Sequence, residues 1–304
     1  MKILVTGVSG QLGYDAANEA ITRGHEVIGT DVQMIYSGAA DGSPVTDAPY
    51  VMIDITDRES VFAVMEEIRP DAVIHCAGWT AVDAAEDEEN RAKVRAVNVD
   101  GTRHLAEAAK NVECNMMYIS TDYVFDGKGE KAWMPDDKTY APLNVYGQSK
   151  LDGELAVSEF LEKFFIVRTS WLFGKNGNNF IKTMIGIGKM HDQVRVICDQ
   201  VGTPTYSADL ARLLIDMIET EKYGYYHATN EGDFISWYDL CVEAYKQYGL
   251  AAEVIPVTTA EYGASKALRP LNSRLDKSKL SACGFAPLPD WKDAVKRYLA
   301  EANI

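Results

Sequence analysis

The chain has 304 residues, of which 47% are hydrophobic and 25% are charged, an ordinary composition for one large globular domain or two smaller ones. Asp and Glu number 45 against 30 Lys and Arg, and the net charge of -15 would repel a phosphate backbone, which excludes general nucleic-acid binding. The five cysteines and five histidines lack disulfide or metal-ligand spacing, and no stretch is apolar for long enough to span a bilayer. We therefore expect a cytoplasmic protein that binds neither a metal ion nor a membrane.

Short apolar segments alternate with amphipathic helical patterns over the first 170 residues. The predicted strands are Lys2 to Thr6, Glu26 to Thr30, Ala72 to Cys76, Met116 to Ser120 and Phe165 to Thr169. The predicted helices are Gln11 to Arg23, Arg58 to Ile68, Val94 to Lys110 and Val145 to Lys163. Because the strands are apolar nearly throughout, they are typical of a parallel sheet covered by helices on both faces. The pattern predicts an α/β fold with a doubly wound parallel sheet.

After Trp171 the alternation gives way to segments that contain Gly, Asn and Pro. Helices are predicted at Ala208 to Glu219, Trp237 to Tyr248 and Trp291 to Glu301, and short strands at Val194 to Ile197, Tyr225 to His227 and Ala252 to Ile255. We predict a main domain of residues 1–170 and a smaller carboxy-terminal lobe of residues 171–304, with the short strands returning to the main sheet.

A glycine turn follows the first strand directly and opens the first helix. Its glycines are Gly7, Gly10 and Gly13, in the spacing G-x-x-G-x-x-G, with Gln11 and Leu12 between the last two. Glycines let the backbone approach a pyrophosphate, whose charge is stabilised by the free amides at the helix amino terminus. The alternative is an ordinary strand-to-helix turn. Because the glycine turn directly follows the first strand, we favour a Rossmann-type dinucleotide site formed by these five residues.

Asp31 ends the second predicted strand, about where the ribose hydroxyls of a dinucleotide are held. No Lys or Arg occurs in residues 24–57, so a 2'-phosphate would meet an unscreened carboxylate. NADH is therefore favoured, and NADPH is allowed. Asp54 and Ile55 are placed to meet the adenine, although Asp54 equally suits a helix-capping region. Ala77-Gly78 would lie along the cofactor with little side-chain obstruction.

Tyr146 and Lys150 stand four residues apart and therefore share one face of a predicted helix. A neighbouring cation favours a phenolate, so we expect Lys150 to lower the pKa of Tyr146. Tyr262 and Lys266 repeat the spacing, and we interpret that second pair as part of a surface loop. The first pair is distinguished by Thr121, whose hydroxyl ends a predicted strand where open parallel sheets bind their ligands. Together these residues are suited to reduction of a ketone, with Tyr146 as proton donor.

Seven segments of the chain resemble the extended short-chain dehydrogenase/reductases, and they span nearly its whole length. They are the glycine turn, Ala81 to Glu86 (AVDAAE), Ser120 to Gly127 (STDYVFDG), Pro142 to Lys150 (PLNVYGQSK), Arg168 to Trp171 (RTSW), Gly177 to Phe180 (GNNF) and Arg269 to Leu275 (RPLNSRL). The resemblance implies catalysis by Thr121, Tyr146 and Lys150. It also implies reduction at C4 of a dTDP-linked 4-keto-6-deoxy sugar, dTDP-4-dehydro-L-rhamnose, to dTDP-L-rhamnose, and it allows a homodimer.

The expected substrate contacts lie in these same segments. They are Thr121, Asp122, Tyr123, Trp171, Asn178, Asn179, Arg269 and Arg274. Arginine can bind two phosphate oxygens at once, so Arg269 or Arg274 would suit the substrate diphosphate, unless each pairs with a surface acid instead. Two alternatives stay open: another nucleotide-sugar 4-ketoreductase, or a non-catalytic regulatory subunit of the methionine adenosyltransferase type.

Overall fold

The computed structural model describes residues 1–36, 44–263 and 265–302 of the chain. Within these residues the strands are β1 (Lys2–Thr6), β2 (Glu26–Asp31), β3 (Tyr50–Met52), β4 (Ala72–His75), β5 (Asn115–Thr121), β6 (Phe164–Thr169), β7 (Leu172–Phe173), β8 (Gln193–Ile197), β9 (Val201–Gly202), β10 (Thr205–Tyr206), β11 (Gly224–His227), β12 (Ile235–Ser236) and β13 (Glu253–Val257). The helices are α1 (Gln11–Thr22), α2 (Arg58–Ile68), α3 (Glu88–Arg95), α4 (Thr102–Asn111), α5 (Val145–Phe160), α6 (Phe180–Gly188), α7 (Ser207–Ile218), α8 (Trp237–Tyr248), α9 (Thr259–Tyr262), α10 (Ser278–Ala282) and α11 (Trp291–Glu301).

Seven strands form one parallel sheet in the order β11-β6-β5-β4-β1-β2-β3. The chain runs outward from β1 in one direction through β2 and β3, and then in the other through β4, β5 and β6. The strand order therefore reverses beside β1, and such a reversal opens a crevice at the carboxyl ends of the strands. The predicted doubly wound α/β fold is confirmed.

Both faces of the sheet are buried, as the nearly continuous apolar strands indicate. Ile3 and Val5 of β1 point into a core shared with α1 and α7, whereas Leu4 points into a second core shared with α2 and α4. All three side chains are fully buried. Since successive side chains of a strand alternate between faces, a strand covered on both sides is apolar at each position.

The carboxy-terminal half returns one strand to the main sheet. β11 pairs in parallel with β6, from Gly224 beside Phe165 to His227 beside Arg168. The other two predicted strands do not return: β8 and β13 pair with each other in a separate two-stranded sheet. They pack against α8, where Val194 and Val196 contact Cys241 and Tyr245. Because β11 pairs along the outer edge of β6, neither β8 nor β13 can pair with β6 there. The division of the chain at residue 170 stays a prediction.

The predicted helix from Val94 to Lys110 is interrupted. It consists of the end of α3, a π-helical segment at residues 96–101, and α4. Asn98 lies in the π segment, where its side chain accepts a hydrogen bond from Trp79 N (2.7 Å) and donates one to Ser149 Oγ (2.9 Å). Such widened turns frequently occur at functional sites. The π-helical segment contacts the loop that follows β4 and also contacts α5.

None of the helices in the three described ranges is both long and apolar enough to cross a membrane.

Candidate active site

A cavity of about 990 Å³ opens at the carboxyl ends of the central strands. Its wall brings together most of the residues that the sequence predicts for a site: Gly7, Gly10, Gln11, Leu12, Gly13, Asp31, Asp54, Ile55, Ala77, Gly78, Thr121, Asp122, Tyr123, Tyr146, Lys150, Trp171, Asn178 and Arg269. This volume lies at the upper end of the range for small-molecule and cofactor sites.

The glycine turn forms a cradle that side chains would fill. Gly7 has φ +69°, and a Cβ on it would lie 2.6 Å from the backbone nitrogen of Ala77. A Cβ on Gly13 would lie 2.1 Å from the carbonyl oxygen of Gly7. No side chain caps the amino terminus of α1, and its first turn carries no acidic residue. The turn therefore fits the pyrophosphate of a nicotinamide dinucleotide.

Asp31 is held at one end of the cavity. Its carboxylate accepts hydrogen bonds from Ser9 N (3.2 Å) and Val32 N (2.8 Å), so it is fixed beside the glycine turn. Three cations from outside residues 24–57 line the cavity: the exposed Lys93 of α3, Lys150 and Arg269. The cavity wall therefore carries both a carboxylate beside the glycine turn and an exposed lysine of α3.

Asp54 lies both on the cavity wall and in the turn before α2, and its contact with an adenine stays a prediction. It lines the cavity, and one of its oxygens accepts hydrogen bonds from Thr56 N (2.9 Å) and Thr56 Oγ1 (2.7 Å). The amino-terminal cap of α2 is Asp57, which accepts from Glu59 N at 3.0 Å. Asp54 therefore shapes the turn before that cap while its neighbour Ile55 packs against Gly101.

Thr121, Tyr146 and Lys150 meet on one wall of the cavity. Thr121 ends β5, while the Asn144 side chain caps α5 by accepting from Gly147 N at 2.7 Å. Tyr146 in the first turn of that helix hydrogen-bonds the Thr121 side chain, and Lys150 follows one turn later. Strand end and helix start are thus both fixed locally, which places a hydroxyl, a phenol and an ammonium on the same wall.

Burial controls the ionisation of these groups, and one expectation is corrected. Burial raises the pKa of the Tyr146 phenol above its ordinary value, and the Thr121 hydrogen bond opposes this only in part. The predicted lowering by Lys150 is absent, and burial lowers the pKa of that ammonium itself to about 7. At neutral pH Tyr146 therefore carries its proton, as a proton donor must. Burial also raises the pKa of Asp122 to about 7.

Three aromatic side chains line the far end of the cavity. The Trp171 ring stacks on Trp237 at a centroid distance of 3.9 Å, and Phe180 lies 4.6 Å from Trp237. Trp171 has φ +52°, a strained conformation for a bulky residue, and strain of this kind clusters at functional sites. Sequence reasoning missed Trp237 and Phe180, because an aromatic residue at the start of an amphipathic helix is typical of a core.

Arg269 lies on the cavity wall and is also paired. Its guanidinium donates to both carboxylate oxygens of Asp83, at 3.1 and 2.7 Å, and this lowers the pKa of Asp83. Burial and a hydrogen bond to Tyr123 complete its surroundings. Of the two predicted roles of Arg269, the structure shows the acid pair, and the phosphate contact stays a prediction.

The structure does not bring Asn179 and Arg274 to the cavity wall. Asn179 caps α6 by accepting from Lys182 N at 3.0 Å, and it donates to Gly174 O at 3.0 Å. Arg274 donates to the Asn272 side chain at 3.0 Å. Asn179 thus caps α6 and donates to the cavity-wall residue Gln11 at 3.4 Å, whereas Arg274 is held by the side chain of Asn272.

Comparison with known proteins places the geometry in a family. The RmlD substrate binding domain model matches residues 1–304. A dTDP-4-dehydrorhamnose reductase of Aggregatibacter actinomycetemcomitans is 38% identical over 317 residues, covering 99% of each chain. Solved structures of dTDP-4-dehydrorhamnose reductases are also similar, each over 99% of both chains. The one from Clostridium acetobutylicum has a TM-score of 0.88 at 40% identity, and the one from Bacillus anthracis, in complex with NADP, 0.89 at 37%.

Proposed function

Because this chain belongs to the RmlD substrate binding domain family, we propose that it is an oxidoreductase that reduces the C4 ketone of dTDP-4-dehydro-L-rhamnose to dTDP-L-rhamnose. The observation that carries the proposal is one cavity lined both by the glycine cradle and by Thr121, Tyr146 and Lys150. A nicotinamide cofactor, when bound, supplies the hydride for such a reduction.

The residues of the cavity divide into a cofactor end and a substrate end. The glycine turn and the first amides of α1 would hold the pyrophosphate, and Asp31 the adenosine ribose. Asp54, Ile55, Ala77 and Gly78 would line the path between the two halves of the cofactor. Trp171, Asn178 and Arg269 are on the wall that remains for the nucleotide sugar.

Tyr146 would protonate the substrate oxygen. The C4 ketone becomes an alcohol when a hydride adds to carbon and a proton to oxygen. The phenol of Tyr146 is protonated at neutral pH, and burial raises its pKa further above the ordinary value. Thr121, which hydrogen-bonds that phenol, would hold the carbonyl oxygen beside it. Lys150, one helical turn away, would place positive charge next to the oxygen on which negative charge develops.

We infer a preference for NADH over NADPH. The fixed carboxylate of Asp31 supports this, because it would repel a 2'-phosphate while accepting hydrogen bonds from the ribose hydroxyls. Lys93, an exposed lysine of the cavity wall, is a cation that would allow NADPH as a second cofactor. A homodimer stays a prediction, which sedimentation of the purified protein would test.

One assay tests the proposed function. Oxidation of NADH is followed at neutral pH with dTDP-4-dehydro-L-rhamnose, and in parallel with the UDP- and GDP-linked 4-keto sugars. Turnover with the dTDP sugar above the other two supports the proposal. A preference for a UDP or GDP sugar would make the chain a different 4-ketoreductase, and no turnover with any of them would favour the regulatory-subunit alternative.

A further inference from the structure

The ammonium group of Lys150 lies against the face of a buried tyrosine. Lys150 Nζ is 4.1 Å from the centroid of the Tyr118 ring, on the neighbouring strand β5. The lysine is 7% exposed and the tyrosine 0%. A cation at this distance from an aromatic face is attracted by the negative charge of the ring, and the attraction is stronger away from water.

The tyrosine is held in place by the helix that carries the lysine. The Tyr118 hydroxyl donates to the backbone oxygen of Lys150 at 3.4 Å. A Cβ at Gly153, one turn beyond Lys150 in α5, would lie 2.3 Å from that hydroxyl. The absence of a side chain at Gly153 therefore leaves room for the Tyr118 hydroxyl against α5. The hydrogen bond to Lys150 holds the ring in that position.

Few charges compete with the ring for Lys150. The titratable groups that face the ammonium are Tyr146 and Glu154 on α5, Tyr118 on β5, and His75 and Cys76 at the end of β4. His75 is neutral at physiological pH, since burial lowers its pKa to about 3, and burial raises the pKa of the Cys76 thiol. Glu154 is bound on both oxygens by Arg168. The ring of Tyr118 is therefore the uncharged group that stabilises the ammonium most directly.

We propose that Tyr118 is a positioning residue for the reduction: its ring face binds the Lys150 ammonium and fixes it beside Tyr146. The proposal rests on the proposed function for its catalytic consequence, although its physical basis is the contact itself. Without the ring, the buried ammonium loses one of its stabilising neighbours while Glu154 stays, and the pKa of Lys150, already lowered to about 7 by burial, is lowered further.

Nuclear magnetic resonance of the protein labelled with [13C]lysine tests the contact without substrate or cofactor. The Lys150 signal is assigned by its loss in Lys150→Met, and its pKa is measured in wild type, Tyr118→Phe and Tyr118→Leu. Phe keeps the ring, so the pKa is expected to stay near the wild-type value, whereas Leu is expected to lower it by about one unit. Equal pKa values in the Phe and Leu variants would overturn the proposal.

The pH profile of kcat/KM then tests the consequence. A shift of one unit from a pKa of about 7 leaves about a tenth of Lys150 charged at pH 7, so Tyr118→Leu should lose about fivefold there and little at pH 5. Phe165→Leu, a buried aromatic change in β6, controls for general destabilisation. If Tyr118→Leu does not fold, Tyr118→Met fills the space without an aromatic face. Wild-type protein inactive on the dTDP sugar would refute the proposed function, and the resonance experiment would still decide on Tyr118.

Discussion

Replacing Glu154 with Gln is expected to lower the free energy of unfolding by about 3–5 kcal/mol, the cost of leaving a buried charge without its partner. The Glu154 and Arg168 side chains are 1% and 0% exposed. The carboxylate accepts from Arg168 Nε at 2.8 Å and from its terminal nitrogen at 2.7 Å, and Ser120 Oγ donates to it at 2.5 Å. Gln preserves the shape, but it is neutral and turns an amide donor toward one of these three donors.

Urea denaturation of the folded protein measures this loss, and a second glutamate on the same helix is the control. Glu159 pairs with Arg103 at 3.0 Å in an exposed position, so Glu159→Gln should change the free energy of unfolding by about 0–1 kcal/mol. An unchanged m-value would show that the two variants unfold as the wild type does. Equal losses in the two variants would refute the reasoning. Conversely, Glu154→Leu combined with Arg168→Met should lose less than Glu154→Gln, because no charge stays buried.

Three further variants test the site. Tyr146→Phe should lower kcat by about two to four orders of magnitude without changing the affinity for NADH. Tyr262→Phe is the control and should not change kcat. Near-normal turnover of Tyr146→Phe would exclude Tyr146 as the proton donor. Asp31→Ala should raise kcat/KM for NADPH relative to NADH, and a wild type that already prefers NADPH would contradict our interpretation and direct attention to Lys93. Arg269→Ala should weaken binding of the sugar nucleotide by about 1.5–3 kcal/mol without changing NADH affinity. An unchanged affinity in titrations of both ligands would exclude Arg269 from the phosphate contact.

The elements that sequence reasoning placed well are those with local signals. The helices that begin at Arg58, Trp237 and Trp291 follow capping residues, and Ser236 with Asp239 forms a reciprocal capping box. Strands β1, β2, β4, β5 and β6 are apolar on both faces and lie within one or two residues of their predicted bounds. The glycine turn and the pair Tyr146 and Lys150 are likewise defined by short spacings, so their shared cavity could be expected.

The features that could not be predicted from the sequence depend on contacts between distant parts of the chain. The pairing of β8 with β13 follows from packing against α8 rather than from either segment, and the three-residue β3 is too short for periodicity to reveal. Helix α6 lies in a segment whose asparagine pair suggested ligand contacts, whereas Asn179 caps the helix. The pKa of Tyr146 depends on how deeply the cavity buries it, and no spacing in the sequence reports burial.

The place of β11 has a consequence for the nascent chain. β6 ends at residue 169, but its outer edge is covered by a strand that is synthesised more than fifty residues later. Until Gly224–His227 has left the ribosome, β6 presents unpaired backbone groups, and an open strand edge of this kind is a template for pairing with another chain. The side chain of Arg168 in β6 likewise gains its contact with His227 only after β11 has emerged. Ribosomes stalled after β6 has emerged but before β11 has emerged should therefore hold a protein that aggregates more readily than one released after β11.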